Sequence, residues 1–122
     1  MIKIQSRNER RKIRHIRIRK KIRGTPDRPR VSFYRSLKHI YLQAIDDTKG
    51  HTLLALSTLS KEIRDEIKGK TKKEIHALLG KKFGEKLLEK GIKKIVFDRG
   101  GFKYHGNLKI LCDEMRNVGI EF

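Results

Sequence analysis

The chain has 122 residues and carries 32 Lys and Arg residues against 14 Asp and Glu residues, a formal net charge of +18. This length allows one folded domain with at most a short appendage. So large a positive excess indicates a polyanionic partner, with nucleic acid as the first candidate and an anionic membrane surface as the second. The longest apolar run, residues 53–56, is too short to span a membrane or to form the core of a signal peptide.

Positive charge is concentrated in the first thirty residues, which hold 13 of the Lys and Arg residues against two acidic residues. Ser6 and Glu9 have the spacing of a helical capping box, and Gly24 suits the position just after a helix. Like charges four residues apart oppose this helix, so we expect it to be partly disordered in free solution and helical on a polyanion. Two prolines then mark the boundary between an arm and linker (residues 1–30) and a globular body (residues 31–122).

The first part of the body has the pattern of an antiparallel meander. Residues 31–35, 40–45 and 52–58 read as three strands, because β-branched and aromatic residues alternate with polar ones and polar turns separate the runs. Residues 60–70 predict a short helix followed by a loop. The chain then changes to helical spacing.

The second part of the body predicts a helix, a strand and a helix. A capping sequence at Thr71 opens an amphipathic helix that Gly91 ends, residues 95–97 form a short buried strand, and a last helix begins near Leu108 and buries the single cysteine, Cys112. Residues 119–122 suggest a terminal strand. The whole pattern predicts an α/β fold with a mixed sheet of three antiparallel strands plus one parallel strand, in the order 3-2-1-4, with packed helices and a basic arm.

The loop between the last strand and the last helix carries the most chemical information. In it Arg99, Lys103 and His105 are interleaved with Phe102 and Tyr104. Cations beside flat rings suit phosphate groups and unstacked bases. This loop, a hairpin near residues 35–41 and the arm are therefore expected to bind one RNA.

Enzymatic readings of the same loop are weak. Its glycine spacing resembles a phosphate-binding loop, but Asn107 and Leu108 stand where Lys and Ser or Thr are required. A metal-dependent nuclease would need an acid in the first strand, which has none, and Asp98 is expected to order the loop or to pair with Arg99. The five histidines have no ligand spacing, so no metal site, cofactor or enzymatic activity is predicted. A general nucleic-acid-coating protein and a nuclease remain the alternatives.

Two motifs resemble the bacterial form of ribosomal protein eighteen of the large subunit. They are RSLKHIY at residues 35–41 and VFDRGGFKYHG at residues 96–106, and the basic arm and the ending GIEF also match. The resemblance implies a non-catalytic cytoplasmic protein of the ribosome that binds 5S rRNA and helps to dock it onto 23S rRNA in the central protuberance. Asn107 stands where this family commonly has Arg, which removes one cation.

The expected RNA-facing residues fall into three groups. Charge selects, from the arm and linker, Arg7, Arg10, Arg11, Arg14, Arg17, Lys21 and Arg30. The resemblance implies, from the first hairpin, Arg35, Ser36, Lys38, His39 and Tyr41. It also implies, from the second loop, Arg99, Gly100, Gly101, Lys103, Tyr104 and His105. The expected partners are 5S rRNA, 23S rRNA and neighbouring large-subunit proteins, with no membrane partner and a monomeric free state.

Overall fold

A computed structural model describes residues 6–104 and 106–122. In chain order the described residues form α1 (Arg7–Arg19), β1 (Arg30–Arg35), β2 (Ile40–Asp46), β3 (His51–Ser57), α2 (Lys61–Arg64), α3 (Lys72–Glu89), β4 (Val96–Asp98) and α4 (Asn107–Asn117). The sheet has the order β3-β2-β1-β4. The β1–β2 and β2–β3 pairs are antiparallel, and β4 lies parallel to β1. The predicted α/β class and strand order are confirmed.

The sheet has one covered and one open face, because successive side chains of a strand point to opposite sides. Val31 and Phe33 of β1 and Leu42 of β2 are buried on the covered face, in one core with apolar residues of α3 and α4. Ser32 and Tyr34 alternate with them and lie on the other side. None of the described helices is long and apolar enough to cross a membrane.

Helices α3 and α4 pack closely because α3 presents a glycine at their contact. A Cβ atom added at Gly80 would lie 2.2 Å from the carbonyl oxygen of Leu111, a distance that no real side chain tolerates. Phe83 and Met115 fill the core beside this contact. Cys112 is buried on α4, as predicted, and burial raises the pKa of its thiol to about 12.

Two predicted features of the body form only in part. The Thr71 hydroxyl accepts the Glu74 amide at the start of α3, but the Glu74 carboxylate accepts from that hydroxyl and not from the Thr71 amide. Half of the expected capping box is therefore present. At the carboxyl end, residues 119–122 make a single parallel bridge between Glu121 and Lys94 instead of a strand.

The arm begins as predicted and ends earlier. Ser6 and Glu9 form a complete capping box, but α1 stops at Arg19, so Gly24 is not the residue that ends it. Gly24 packs against β2 instead, where an added Cβ atom would lie 2.3 Å from the carbonyl oxygen of Ile45. Its amide donates to the Asp47 carboxylate at 2.7 Å. The segment after α1 is therefore not helical where Gly24 packs against Ile45 of β2.

Candidate nucleic-acid interface

The buried carboxylate of Asp98 joins three parts of the chain at the end of β4. Its Oδ1 accepts the amide of Gly100 at 2.9 Å, and its Oδ2 accepts from Arg30 Nη1 at 2.7 Å and lies 2.8 Å from His15 Nε2. Asp98 therefore orders the glycine loop, which is the first of the two alternatives expected for it, and its partners among the described residues are Arg30 and His15 and not Arg99. Arg99 follows the end of β4, and its Nη1 donates to the carbonyl of Phe102 at 3.3 Å instead.

The two loop glycines let α1 lie directly on the loop. The carbonyl of Gly100 accepts from Arg11 Nη1 at 2.7 Å, and that of Gly101 accepts from Arg14 Nε at 2.8 Å. Both glycines have positive φ, and an added Cβ atom at Gly101 would lie 2.2 Å from the carbonyl oxygen of Arg11. Gly100 and Gly101 are buried under α1, so their role in the structure is to position the arm.

Arg30 is held between two carboxylates. Its side chain donates from Nε and Nη2 to Asp47 at 2.9 and 3.1 Å, and from Nη1 to Asp98. Hydrogen bonds from Arg30 lower the pKa of Asp47 to about 2, and the amide of Gly24 adds to this effect. Arg30 is only 7% exposed, so its predicted place on an RNA-facing surface does not fit the structure.

The ring of Phe102 contacts guanidinium groups from two elements, α1 and β1. The guanidinium carbons of Arg11 on α1 and Arg35 on β1 lie 5.1 and 5.6 Å from its centroid. Its ring also meets Phe33 edge to face at 5.4 Å, which anchors it to the core. Each exposed cation–π contact contributes about 0.5–1 kcal/mol. Phe102 therefore fixes the position of side chains that the sequence places far apart.

Beside Phe102 lies a basic cleft, which we call the α4 cleft. It encloses about 400 Å³ and is lined by Arg14, Phe33, Arg35, Phe102, Lys103, Gly106, Asn107 and Leu108. Three cations from α1, β1 and the loop converge on it. Gly106 precedes α4 and supplies no side-chain cap, and no acidic residue stands in the first helical turn. The positive end of the helix dipole therefore adds to the cationic side chains.

The open sheet face carries a pair of partly exposed tyrosine rings, and the guanidinium carbon of Arg11 lies 5.3 Å from the centroid of one of them, Tyr34. A shallow depression on this face has a volume of about 410 Å³ and is lined by Ser32, Tyr34, Ser36, Tyr41 and Gln43. Tyr34 and Tyr41 are direct partners across β1 and β2, with ring centroids 6.0 Å apart. The sequence prediction included Tyr41 and Ser36 but missed Tyr34, Ser32 and Gln43. Strict alternation with buried residues was the signal that would have found them, with Val31 and Phe33 on β1 and with Leu42 and Ala44 on β2.

The β1–β2 hairpin separates turn-forming residues from projecting ones. The amide of Ser36 donates to the carbonyl of His39 at 2.9 Å, and His39 Nδ1 lies 2.9 Å from the hydroxyl of Thr58. Lys38 is exposed at the tip, and Leu37 is 94% exposed beside it. Ser36 and His39 therefore shape the turn, and Lys38 is the residue that it presents.

The remaining residues that were predicted to face RNA are either exposed to solvent or line a second groove. Arg7, Arg10 and Arg17 are exposed on α1. Lys21, Arg99 and Tyr104 line a groove at the carboxyl end of α1, away from Lys103 in the α4 cleft. His105 lies outside the described residues. Among the residues that the structure describes, no group of three His, Cys, Asp or Glu side chains is placed to hold a metal ion.

Exposed rings on a sheet, clustered cations and a strongly basic charge together define a nucleic-acid-binding class of protein. The family model of ribosomal L18 from archaea, bacteria, mitochondria and chloroplasts matches residues 5–122. The chain is 57% identical to the large ribosomal subunit protein uL18 of Dictyoglomus turgidum and 55% identical to that of Thermotoga neapolitana, over 122 residues and 100% of each chain. The chain belongs to the ribosomal L18 family.

This membership defines the chain's place and class. It is a protein of the large ribosomal subunit and acts in translation, in the cytoplasmic ribosome. Its relatives are structural ribosomal proteins, so the prediction of a non-enzymatic protein is confirmed by the family.

Proposed function

We propose that the chain binds 5S rRNA and helps to attach it to 23S rRNA in the central protuberance of the large subunit. Membership of the L18 family supports a ribosomal RNA partner. The observation that carries the proposal is the convergence of Arg14, Arg35 and Lys103 on the α4 cleft. These cations come from three separate elements and meet beside the open sheet face.

The α4 cleft provides the phosphate contacts of this proposal. Arg14 and Arg35 are pre-oriented, because Arg14 donates to the Gly101 carbonyl and Arg35 lies over the Phe102 ring. Lys103 is exposed and adds a mobile cation. Phosphates neutralised here release counterions, which makes the affinity depend on salt.

The open sheet face provides the contacts to unpaired bases. Tyr34 and Tyr41 offer flat rings on which bases of a loop or bulge stack, and Gln43 and Ser32 offer hydrogen-bonding groups beside them. Backbone contacts in the cleft then set the register, and the rings favour unstacked RNA over a regular duplex.

The exposed cations of the arm suit a second stretch of RNA. Arg11, Arg14 and His15 hold α1 to the body, while Arg7, Arg10 and Arg17 stay exposed. We propose that these three face 23S rRNA or neighbouring proteins when the body lies on 5S rRNA, and that the free protein is a monomer.

The test is a salt titration of the complex between the full chain and 5S rRNA. With roughly six phosphate contacts, log K should fall against log salt with a slope of about −4 to −5. Lys103→Gln should weaken binding and reduce the steepness of that slope by about 1, because one phosphate contact is lost. Lys73→Gln, which removes an exposed cation from α3, is the matched control and should change neither quantity.

Two results would contradict the proposal. One is an equal loss of affinity in the Lys103 and Lys73 variants. That result would mean that Lys103 contributes only through the net charge of the protein and not through a specific contact in the cleft. The other is competition by duplex DNA at the same concentration as 5S rRNA, which would favour a general nucleic-acid-coating protein.

A further inference from the structure

A groove separate from the α4 cleft lies where the end of α1 meets the carboxyl terminus, and we call it the C-terminal groove. It is lined by Ile18, Lys21, Ile22, Phe97, Arg99, Tyr104, Arg116 and Phe122. Its volume is about 420 Å³. Clefts that hold small organic ligands measure about 300–1,000 Å³. The groove therefore has room for one small planar ligand with its substituents.

The inner wall of the groove is built from planar groups that are already fixed. The rings of Phe97 and Phe122 lie 5.9 Å apart at an interplanar angle of 30°, and the guanidinium carbon of Arg116 lies 4.2 Å from the Phe122 centroid. Arg116 also donates from Nη1 to the Tyr104 hydroxyl at 3.0 Å and from Nε to the Phe122 carbonyl at 3.2 Å. Rings and guanidinium planes are the surfaces on which proteins stack unpaired bases.

The rim of the groove is positively charged. Lys21 comes from the turn after α1, Arg99 from the loop after β4, and Arg116 from α4. Among the ion pairs of the described residues none involves Lys21 or Arg99, while Arg116 lies 3.8 Å from Asp113. An apolar peptide would leave these cations without partners. The combination of flat apolar groups and surplus cations favours an anionic planar ligand.

We propose that the C-terminal groove holds one unstacked nucleotide of RNA, with its base against the planar groups of the inner wall and its phosphate at Lys21 and Arg99. This inference rests on the proposed RNA-binding function and adds a second contact point to it. The loop after β4 then serves two sites, because Lys103 lines the α4 cleft and Arg99 lines the groove.

The test is a titration of the full chain with adenosine 5′-monophosphate, followed by aromatic and amide NMR signals. We expect the nucleotide to shift signals of Phe97, Tyr104 and Phe122, and inorganic phosphate at the same concentration to shift them less. Equal shifts with phosphate, or no shift of these three residues, would overturn the proposal. Shifts of the same signals on concentrating the protein alone would assign the groove to a second copy of the chain and would also overturn it.

Two neighbouring lysines supply a matched pair of variants. Lys21→Gln removes a cation from the groove, and Lys20→Gln removes one from the preceding exposed residue, which does not line it. An exposed ion pair contributes modestly, so we expect Lys21→Gln to weaken nucleotide binding about two- to fivefold. Lys20→Gln should leave it unchanged. Equal weakening in the two variants would mean that only net charge attracts the nucleotide.

The two proposals fail in different ways. If 5S rRNA binds with the expected sensitivity to Lys103→Gln but the mononucleotide does not reach the groove, the inference about the groove is wrong and the proposed function stands. If the mononucleotide shifts the groove signals but 5S rRNA does not bind, the proposed function is wrong and the groove remains a nucleotide site.

Discussion

Helices α1 and α3 begin alike and are held in the protein by different forces. Each starts at a hydroxyl residue that accepts an amide three residues on, and each carries many charges. Helix α3 buries Leu79, Phe83 and Leu87, whereas α1 buries no residue. The contacts that dock α1 include hydrogen bonds from Arg11 and Arg14 and the approach of His15 to Asp98. Arg19 also donates to Asp47 at 3.3 Å, and the Arg11 guanidinium lies over the Phe102 ring. Salt and pH should therefore affect the arm, and loss of apolar volume should affect the body.

The largest expected effect comes from truncating one apolar side chain on each helix. Phe83→Ala should lower the free energy of unfolding by about 3–5 kcal/mol, because it leaves a cavity under the sheet. Ile16→Ala on α1 should change it by less than about 0.5 kcal/mol, since Ile16 is 59% exposed. Urea denaturation at neutral pH measures both variants. Similar losses of unfolding free energy in the two variants would show that α1 contributes to the core, and the proposed difference between α1 and α3 would be wrong.

A smaller effect is expected at Asp47, where the end of the arm joins the body. The folded protein holds the pKa of Asp47 at about 2, below its ordinary value of 3.8, chiefly through hydrogen bonds from Arg30. A lowered pKa stabilises the protein above the unfolded value, and this stabilisation is lost as pH falls through the folded value. With allowance for solvent screening the loss is roughly 1–2 kcal/mol.

Asp47→Asn should therefore be less stable than the wild type at neutral pH, and the difference should shrink between about pH 4 and pH 2. Denaturant midpoints across that range give the measurement. Asp65→Asn is the control, because Asp65 pairs with Lys68 at 3.4 Å on an exposed turn. A constant difference for Asp47→Asn across the range would mean that its charge is not what joins the two regions.

Local patterns predicted the body well because its elements follow from nearby residues. The alternation of Val31 and Phe33 with polar neighbours, and the helical spacing of Leu108 and Leu111, are sequence signals of burial. The end of α1 could not be predicted in this way. It depends on the approach of Gly24 to Ile45, which is a contact between distant parts of the chain.

The same distinction separates the predicted from the missed parts of the site. Charge and rings near Lys103 identified the loop from sequence alone. The pairing of Asp98 with Arg30 depends on the register of β4 against β1, and the C-terminal groove depends on Phe122 reaching Phe97. No local sequence pattern predicts these contacts between distant parts of the chain. Their consequence is that two cations of one loop, Arg99 and Lys103, line different sites.

The smallest expected effect concerns the docking of α1 itself. His15→Gln removes the ring that lies 2.8 Å from Asp98 Oδ2. Loss of one such contact corresponds to about 0.5–1.5 kcal/mol, so amide hydrogen exchange in α1 should accelerate by about two- to tenfold. Exchange in α3 should not change, because its protection comes from the core. Lys12→Gln, an exposed cation on the same helix, is the control and should leave α1 exchange unaltered.

The same measurement tests the expected partial disorder of the arm in free solution. If the amides of α1 in the wild type exchange at rates close to those of an unfolded chain, the expected partial disorder is confirmed. The His15 variant would then show no further increase in the exchange rate. Raising the salt concentration should accelerate α1 exchange in a docked arm, since screening weakens the exposed parts of its polar contacts. Parallel changes in α1 and α3 under salt would mean that the two helices open together, and the arm would then be part of the body's cooperative unit.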